Sequence, residues 1–350
     1  MPEESSAGEA ISARSFTISW VCALQEEYDA ACRMLDDEIE DVEDNNTVSN
    51  DDNAYVFGTI GGHHVVIGCL PQGRYGVASA AKVARDMTRS FPNLKFGLMV
   101  GIGGGAPTPQ QDIRLGDVVV AVPYKAYGGV VQYDFGKRLP DGRFVRTGYL
   151  NATPDALLSV LPQIKRLYND PTRPDRIAEH MKRMDPFPHY QRPTVDNLYR
   201  SDYPHTAGNS CNRCSSQMAI ERPARQTTRQ LMVHYGTVAS GNSVIKDAEI
   251  RDRYANDPEL DVLCFEMEAA GLMNDFPCMV IRGICDYADT HKNDEWHNYA
   301  ALAAASYARE VLLSLKPRKV DSMPYLTERM KKSEFPEVNF CAKRAENMIA

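Results

Sequence analysis

The apolar positions of this chain fall into short runs separated by stretches with helical spacing. Phe16–Leu24 alternates and is rich in β-formers, which predicts a first strand, and Glu26–Leu35 follows with a helical pattern. Ala54–Ile60 and His63–Leu70 read as two strands joined at Gly61-Gly62, a hairpin signal. Val77–Arg89 is a small-residue helix opened by Gly73-Arg74-Tyr75-Gly76. Phe96–Ile102 is a buried strand that runs into a loop, Gly103-Gly104-Gly105. Val118–Val122 is a further strand, residues 127–147 read as irregular or hairpin-like, and Thr153–Tyr168 reads as one helix. Strands return at Leu231–Ala239, Val262–Phe265 and Met279–Ile284, and a last helix spans residues 295–315.

Repeated strand–helix alternation predicts one α/β domain, residues 15–316, with a mixed central sheet flanked by helices. Three stretches depart from it. Residues 1–14 read as a disordered N-terminus, and 317–350 as a tail without periodicity. Residues 170–228 are rich in proline and arginine with weak periodicity, and read as a loop-rich insertion. The acidic, Asn-rich residues 36–53 read as a solvated loop.

Composition changes this picture little. The chain has 350 residues, 43% hydrophobic and 25% charged, with a net charge of -8. That balance argues against general binding to nucleic acid or an anionic membrane. No apolar run approaches the roughly 18–20 residues of a membrane span. The first 13 residues lack the apolar core of a signal peptide. Nine scattered cysteines fit a reduced, cytoplasmic protein.

Candidate chemistry begins with two acidic groups at strand ends. Glu266, Met267 and Glu268 directly follow one apolar run, and Asp286 ends another. In open α/β sheets ligands bind outside the carboxyl ends of the strands. Gly101-Ile102-Gly103-Gly104-Gly105-Ala106 nominally fits a dinucleotide fingerprint. Pro107 and Pro109 forbid the helix that would hold a pyrophosphate, so what remains is a strand-end loop open to close ligand approach or a tight structural turn. Cys211-Asn212-Arg213-Cys214, with His205 six residues upstream, has zinc-compatible chemistry but offers three of the four ligands a structural site needs. Two unpaired thiols are the alternative. No metal or cofactor is otherwise expected.

Six motifs then occur in order: Ala23-Leu24-Gln25-Glu26-Glu27, the Gly101–Gly105 loop, Leu115-Gly116-Asp117-Val118-Val119, Ser240-Gly241-Asn242, Phe265-Glu266-Met267-Glu268-Ala269-Ala270, and Arg282-Gly283-Ile284-Cys285-Asp286. Together they resemble the nucleoside phosphorylase superfamily of the purine phosphorylase and methylthioadenosine/adenosylhomocysteine nucleosidase type. The likeness is greatest to its fungal branch and covers roughly residues 16–316. The resemblance implies roles residue by residue. Glu268 would accept hydrogen bonds from the ribose 2′- and 3′-hydroxyls, with Met267 beneath the sugar. Asp286 would protonate purine N7, with Arg282 balancing charge nearby. Val244 and Ile245 fall where relatives place a base-stacking aromatic and a backbone contact to the base. Glu27 matches the glutamate that orients the attacking water in the hydrolytic members. Beside the resemblance, Gly103 and Gly104 lack a Cβ and would let the backbone approach a ligand; His291, five residues after Asp286, reads either as reaching the sugar's 5′ side or as a surface-loop histidine, and Tyr133 with Asp134 as lining that same side.

An acid at N7 makes the purine a competent leaving group, and burial at a strand end would raise the Asp286 pKa toward that task. Phosphorolytic relatives carry a Gly-Asp-Pro-x-Arg-like turn and an arginine before the glycine loop. Neither occurs here, although Arg74 and Arg114 stand near predicted loops. The expectation is a homo-oligomeric purine nucleosidase of purine salvage, with water as nucleophile and adenosine, inosine or guanosine as the substrate class. The alternatives are a phosphate-dependent phosphorylase, a nucleoside or nucleotide sensor, and a nucleotide-depleting effector whose Arg-rich insertion receives phosphates.

Overall fold

A computed structural model describes residues 11–40, 42, 48, 50–206, 208, 210–225 and 228–328. Twelve strands are described: β1 Ile18–Cys22, β2 Asp37–Glu38, β3 Tyr55–Ile60, β4 His63–Cys69, β5 Phe96–Gly105, β6 Val118–Ala121, β7 Val130–Gln132, β8 Gly136–Arg138, β9 Phe144–Arg146, β10 Val233–Ser240, β11 Val262–Glu266 and β12 Cys278–Asp286. The helices are α1 Gln25–Arg33, α2 Val77–Ser90, α3 Asp155–Leu158, α4 Leu161–Asn169, α5 Arg176–Met181, α6 Ala248–Ala255, α7 His297–Ser314 and α8 Pro317–Asp321.

The main sheet runs β11-β10-β6-β12-β5-β1-β4-β3-β2, with β7 beside β10. Strands β4, β1, β5 and β12 are mutually parallel, which brings the carboxyl ends of β1, β5 and β12 to one edge. Strand β11 pairs in parallel with β10 and also antiparallel with the end of β5, Phe265 opposite Gly104. That second pairing closes β5, β12, β6, β10 and β11 on themselves and delivers the end of β11 to the same edge. The domain is therefore α/β, with a mixed sheet flanked by helices, as its alternation predicts.

Several expectations need correction. The glycine run is strand, because β12 and β11 extend the β5 ladder through Gly105. The helix expected over 153–168 is two, α3 and α4. Pro162 sits in the first turn of α4, where a missing N–H is tolerated, but it cannot continue a helix from before it. Ala13–Ser15 forms a 3-10 turn with Ala13 buried, so the end of the predicted disordered segment is ordered; residues 1–10 lie outside the described residues. The predicted tail begins as α8. Val320, Met323 and Leu326 are buried and the Leu326 N–H donates to the Leu94 carbonyl at 2.7 Å, while residues 329–350 lie outside the described residues. In 170–228 the described residues form α5, short 3-10 turns and the isolated bridge Tyr199↔Ala219. No helix is long and apolar enough to cross a membrane among the described residues.

Helix α7, buried along nearly its whole length, packs on β12, β5 and α1. The contact with β12 is backbone to backbone: a Cβ at Gly283 would overlap the Ala300 carbonyl oxygen. Forcing a methyl into such a contact typically costs about 1–3 kcal/mol. Gly283→Ala is therefore expected to lower the urea unfolding free energy by that order, and an unchanged midpoint would contradict this packing.

Candidate active site

Each acidic group at this edge is held by the backbone that carries it. Glu27 lies in the first turn of α1 and reaches back past the end of β1. Its Oε2 accepts the Ala23 and Leu24 N–H groups at 2.7 and 3.1 Å, and Oε1 accepts the Ile102 N–H from β5 at 2.8 Å. A glycine at 101 makes this approach possible, since a Cβ there would overlap the Glu27 carboxylate. Burial raises the Glu27 pKa, although the Arg282 charge and three N–H donors oppose it.

Arg282, fully buried on β12, is the cation among these carboxylates. Its Nη2 donates to Glu266 Oε2 and lies 3.7 Å from Glu268 Oε2. Glu266 also accepts the Glu268 and Ala269 N–H groups, at 3.1 and 3.0 Å, which fixes the turn after β11. Glu268 takes the Gly76 N–H, just before α2, at 3.2 Å. Burial and the neighbouring Glu266 charge push its pKa up to about 7, against the opposing pull of Arg282. Burial opposes the Arg282 charge too, but the three glutamates outweigh it and hold the guanidinium firmly protonated. The sequence reading places Glu266 directly after the apolar run Val262–Phe265 but gives it no individual role; in the structure it is the last residue of β11 and the partner of Arg282.

Asp286 is aimed by a register shift. Ile284 pairs with Gly103 and Asp286 with Gly104, so Cys285 is an extra residue in β12. Such a bulge re-aims the side chain that follows it. A Cβ at Gly104 would come 2.7 Å from Asp286 Oδ1. The carboxylate accepts the Ala288 N–H at 2.7 Å and the Cys285 thiol at 3.1 Å, and Lys292 Nζ sits 2.8 Å from Oδ2. Burial does push this carboxyl up, as expected from the sequence. The expected direction is nevertheless wrong, because Lys292 with those two donors overcomes burial and holds the pKa below the usual carboxylate range. At rest the pair is Asp286 carboxylate and Lys292 ammonium. Lys292 lies in a polar loop, with no pattern in the sequence to single it out.

A cavity of ≈ 260 Å³ joins these groups. Glu27, Glu266, Glu268 and Asp286 line it, with Met267, Ile102, Gly103, Gly104, Val244 and Ile245; Lys292 and His297 line it too. Val244 is 49% exposed, and besides the His297 imidazole the rings on the lining are Phe265 and Tyr75. Three residues from the sequence reading lie elsewhere. Arg282 is beneath the wall. Tyr133 is buried behind it, where its hydroxyl donates to the Ser243 carbonyl and its ring packs edge-on against Phe265 at 5.8 Å. It therefore positions the turn before Val244. His291 stacks on Tyr199 at 4.1 Å on the far side of the Asp286 loop. No arginine lines the cavity among the described residues: Arg74 is exposed, and Arg114 pairs with Asp112 at 2.7 Å in a different cleft.

Two groups of side chains have metal-ligating spacing, His205–Cys211–Cys214 and Cys285–Asp286–His297. In the second, the Lys292 ammonium already occupies Asp286. The eight described cysteines are all free thiols.

Residues 17–315 match the Phosphorylase superfamily. A nucleotide-binding leucine-rich repeat (NLR)-like protein of Hyaloscypha variabilis is 42% identical over 304 residues, covering 87% of this chain and 30% of that protein. The ATP nucleosidase Cap17 of Escherichia coli is 24% identical over 247 residues, 68% of this chain and 39% of the relative. The chain thus spans well under half the length of these curated relatives. The 5′-methylthioadenosine/S-adenosylhomocysteine nucleosidase of Neisseria meningitidis, in complex with methylthio-immucillin-A, superposes with a TM-score of 0.54 at 17% identity, covering 85% of this chain and 99% of that one. That likeness shows the fold.

The raised Glu268 pKa has a consequence for stability. An unfolded glutamate titrates near about 4.3, and the folded one near about 7. Between those values the folded chain holds the extra proton, so this group's contribution to stability falls as pH rises through the window. Unfolding of wild type and Glu268→Gln, compared at about pH 5 and about pH 7.5, should show the wild type losing more stability on going to the higher pH. Equal losses would contradict a raised Glu268 pKa in the folded chain.

Proposed function

Because this chain belongs to the phosphorylase superfamily, we propose that it is a purine nucleosidase, cleaving the N-glycosidic bond of purine ribonucleosides with water. The observation that carries this reading is the charge of the cavity wall. Three glutamates, Glu27, Glu266 and Glu268, surround a single guanidinium, and no arginine is on the lining among the described residues. Such a wall suits a ribose that gains positive charge, and it repels phosphate.

In this reading the ionised Glu268 accepts the ribose 2′- and 3′-hydroxyls, and Met267 packs beneath the sugar. The purine lies toward Asp286, between Phe265 and the Val244–Ile245 turn. As the C1′–N9 bond breaks, its electron pair passes to the base. A proton moves from Lys292 to Asp286 and from Asp286 to N7, leaving a neutral purine and a neutral lysine. Water attacks C1′ from the opposite face and gives its proton to Glu27, whose raised pKa suits a base. Acid and base on opposite sides of the bond are the general layout of inverting glycoside hydrolysis.

A second reading is that the substrate is a purine nucleotide. It is favoured by the likeness to an ATP nucleosidase over 68% of this chain. The same glycosidic chemistry would apply, with the phosphates at the cavity mouth.

Free base release should be measured from adenosine, inosine, guanosine, AMP and ATP, with and without phosphate. Release independent of phosphate, with ribose as the sugar product, is expected from the nucleosides. Glu27→Gln and Asp286→Asn should each lower kcat by about two to four decades. Ribose 1-phosphate as the only sugar product would overturn the hydrolase reading. Cleavage of ATP with adenosine left intact would replace the nucleoside by the nucleotide. No release from any of the five would leave a binding module.

A further inference from the structure

The Cys211–Cys214 motif lies against the loop that presents Lys292, and it carries an unexplained histidine with it. Cys211–Arg213 is a single 3-10 turn closed by the Cys214 N–H on the Cys211 carbonyl at 3.0 Å, which turns both thiols to one side. Ligand atoms of His205, Cys211 and Cys214 all lie within 4.8 Å of one another. The segment is tied to the loop after β12 at two points. The His205 N–H donates to Thr290 Oγ1 at 2.8 Å, and the Cys211 thiol to the His291 carbonyl at 3.6 Å.

His291 is the second, independent observation. Its side chain is 6% exposed, and neither ring nitrogen has a hydrogen-bond partner among the described residues. Its Nδ1 lies 3.7 Å from Asp289 Oδ1, beyond hydrogen-bonding distance. The ring packs nearly parallel to Tyr199 at 4.1 Å and to Tyr203 at 5.6 Å, two rings that are themselves 5.8 Å apart, with the His205 ring edge-on at 5.5 Å. Tyr203 is in turn fixed by the Ser215 N–H on its hydroxyl at 3.0 Å. Cys211 and His291 share a small cavity of ≈ 50 Å³ with Asp289. A buried imidazole with two unpaired nitrogens is costly unless something binds it.

We propose that His205, Cys211, Cys214 and His291 form a tetrahedral zinc site that clamps His205 and the Cys211–Cys214 turn to the loop carrying Lys292. Two thiols and two imidazoles are a ligand set for zinc; magnesium and calcium take oxygen ligands instead. In a tetrahedral site with bonds of about 2.0–2.3 Å, neighbouring ligand atoms stand about 3.5 Å apart. The ligand atoms of His205, Cys211 and Cys214 lie within 4.8 Å of one another, and the His291 ring centroid is 5.5 Å from that of His205. Binding releases one proton from each thiol. The two thiolates then balance the dication, the histidines bind neutral, and no electron is transferred. Asp289 is placed to orient the free ring nitrogen of His291, the usual supporting contact of a ligating histidine. Lys292 directly follows His291, so the metal would set the position of the ammonium that faces Asp286.

The test is made on the full chain, purified under reducing conditions without added chelator. About one zinc per chain is expected by elemental analysis, with a lower melting temperature after a strong chelator removes it. Cobalt substitution of the wild-type protein should give a tetrahedral spectrum with a thiolate-to-cobalt charge-transfer band. The Cys211→Ser, Cys214→Ser double variant should lose the metal. His291→Ala should bind zinc at least about tenfold more weakly. A metal-free protein that takes up neither zinc nor cobalt would overturn the site, as would a cobalt spectrum without the thiolate band. A Cys211–Cys214 disulfide found by mass spectrometry in the reduced preparation would do the same. Unchanged zinc affinity in His291→Ala would overturn the assignment of the fourth ligand.

Discussion

The arrangement turns on one guanidinium buried in the middle of a sheet. Arg282 occupies β12 between β5 and β6, with no solvent contact of its own. A buried charge of this kind persists only with partners of opposite sign, and removing one partner typically costs about 3–5 kcal/mol. Arg282 has three neighbouring carboxylates, which arrive on different elements: Glu27 on α1, Glu266 at the end of β11, and Glu268 just beyond it. The guanidinium therefore does more than neutralise one group. It gathers the start of α1 and the end of β11 around one point on β12, with the three carboxyl groups lining the cavity.

The other end of the cavity has the opposite character. Asp286, turned by the bulge at Cys285, is matched by Lys292, so that end holds a proton close to a carboxylate that stays ionised at rest. A glycosidic bond spanning the two ends would meet negative charge where its sugar becomes cationic and a proton source where its base becomes anionic. Both are fixed before any ligand enters, because each carboxylate is held by backbone N–H groups. Preorganised groups of this kind need little rearrangement at the moment of reaction.

Much of this was legible in the sequence, and the failures have identifiable causes. Alternation and run length locate the principal strands, and Glu27, Glu268 and Asp286 could be named from strand ends and motif order. What local patterns cannot show is a partner distant along the chain. The glycine run reads as a loop because its hydrogen bonds come from β11 and β12, more than a hundred residues later. The Asp286 pKa has the wrong expected direction for another reason: burial follows from the apolar run before it, whereas Lys292, although only six residues on, looks like any surface lysine. Glu266 is visible as an acidic group at a strand end, but its partner Arg282 is on another strand; His291 is drawn toward the cavity by its nearness in sequence to Asp286, which does line it. The ordered start of the predicted tail holds three buried apolar residues, Val320 in α8 with Met323 and Leu326 after it, too few to read as an element.

In the proposed reaction the identity of the nucleophile rests on Glu27, the site residue contributed by the first helix. It is decided most directly by running the reaction in heavy-oxygen water with phosphate present and analysing the sugar by mass spectrometry. Free ribose carrying the heavy oxygen from solvent at C1′ is predicted. Ribose 1-phosphate without the label would contradict a cavity wall built to admit water and turn phosphate away.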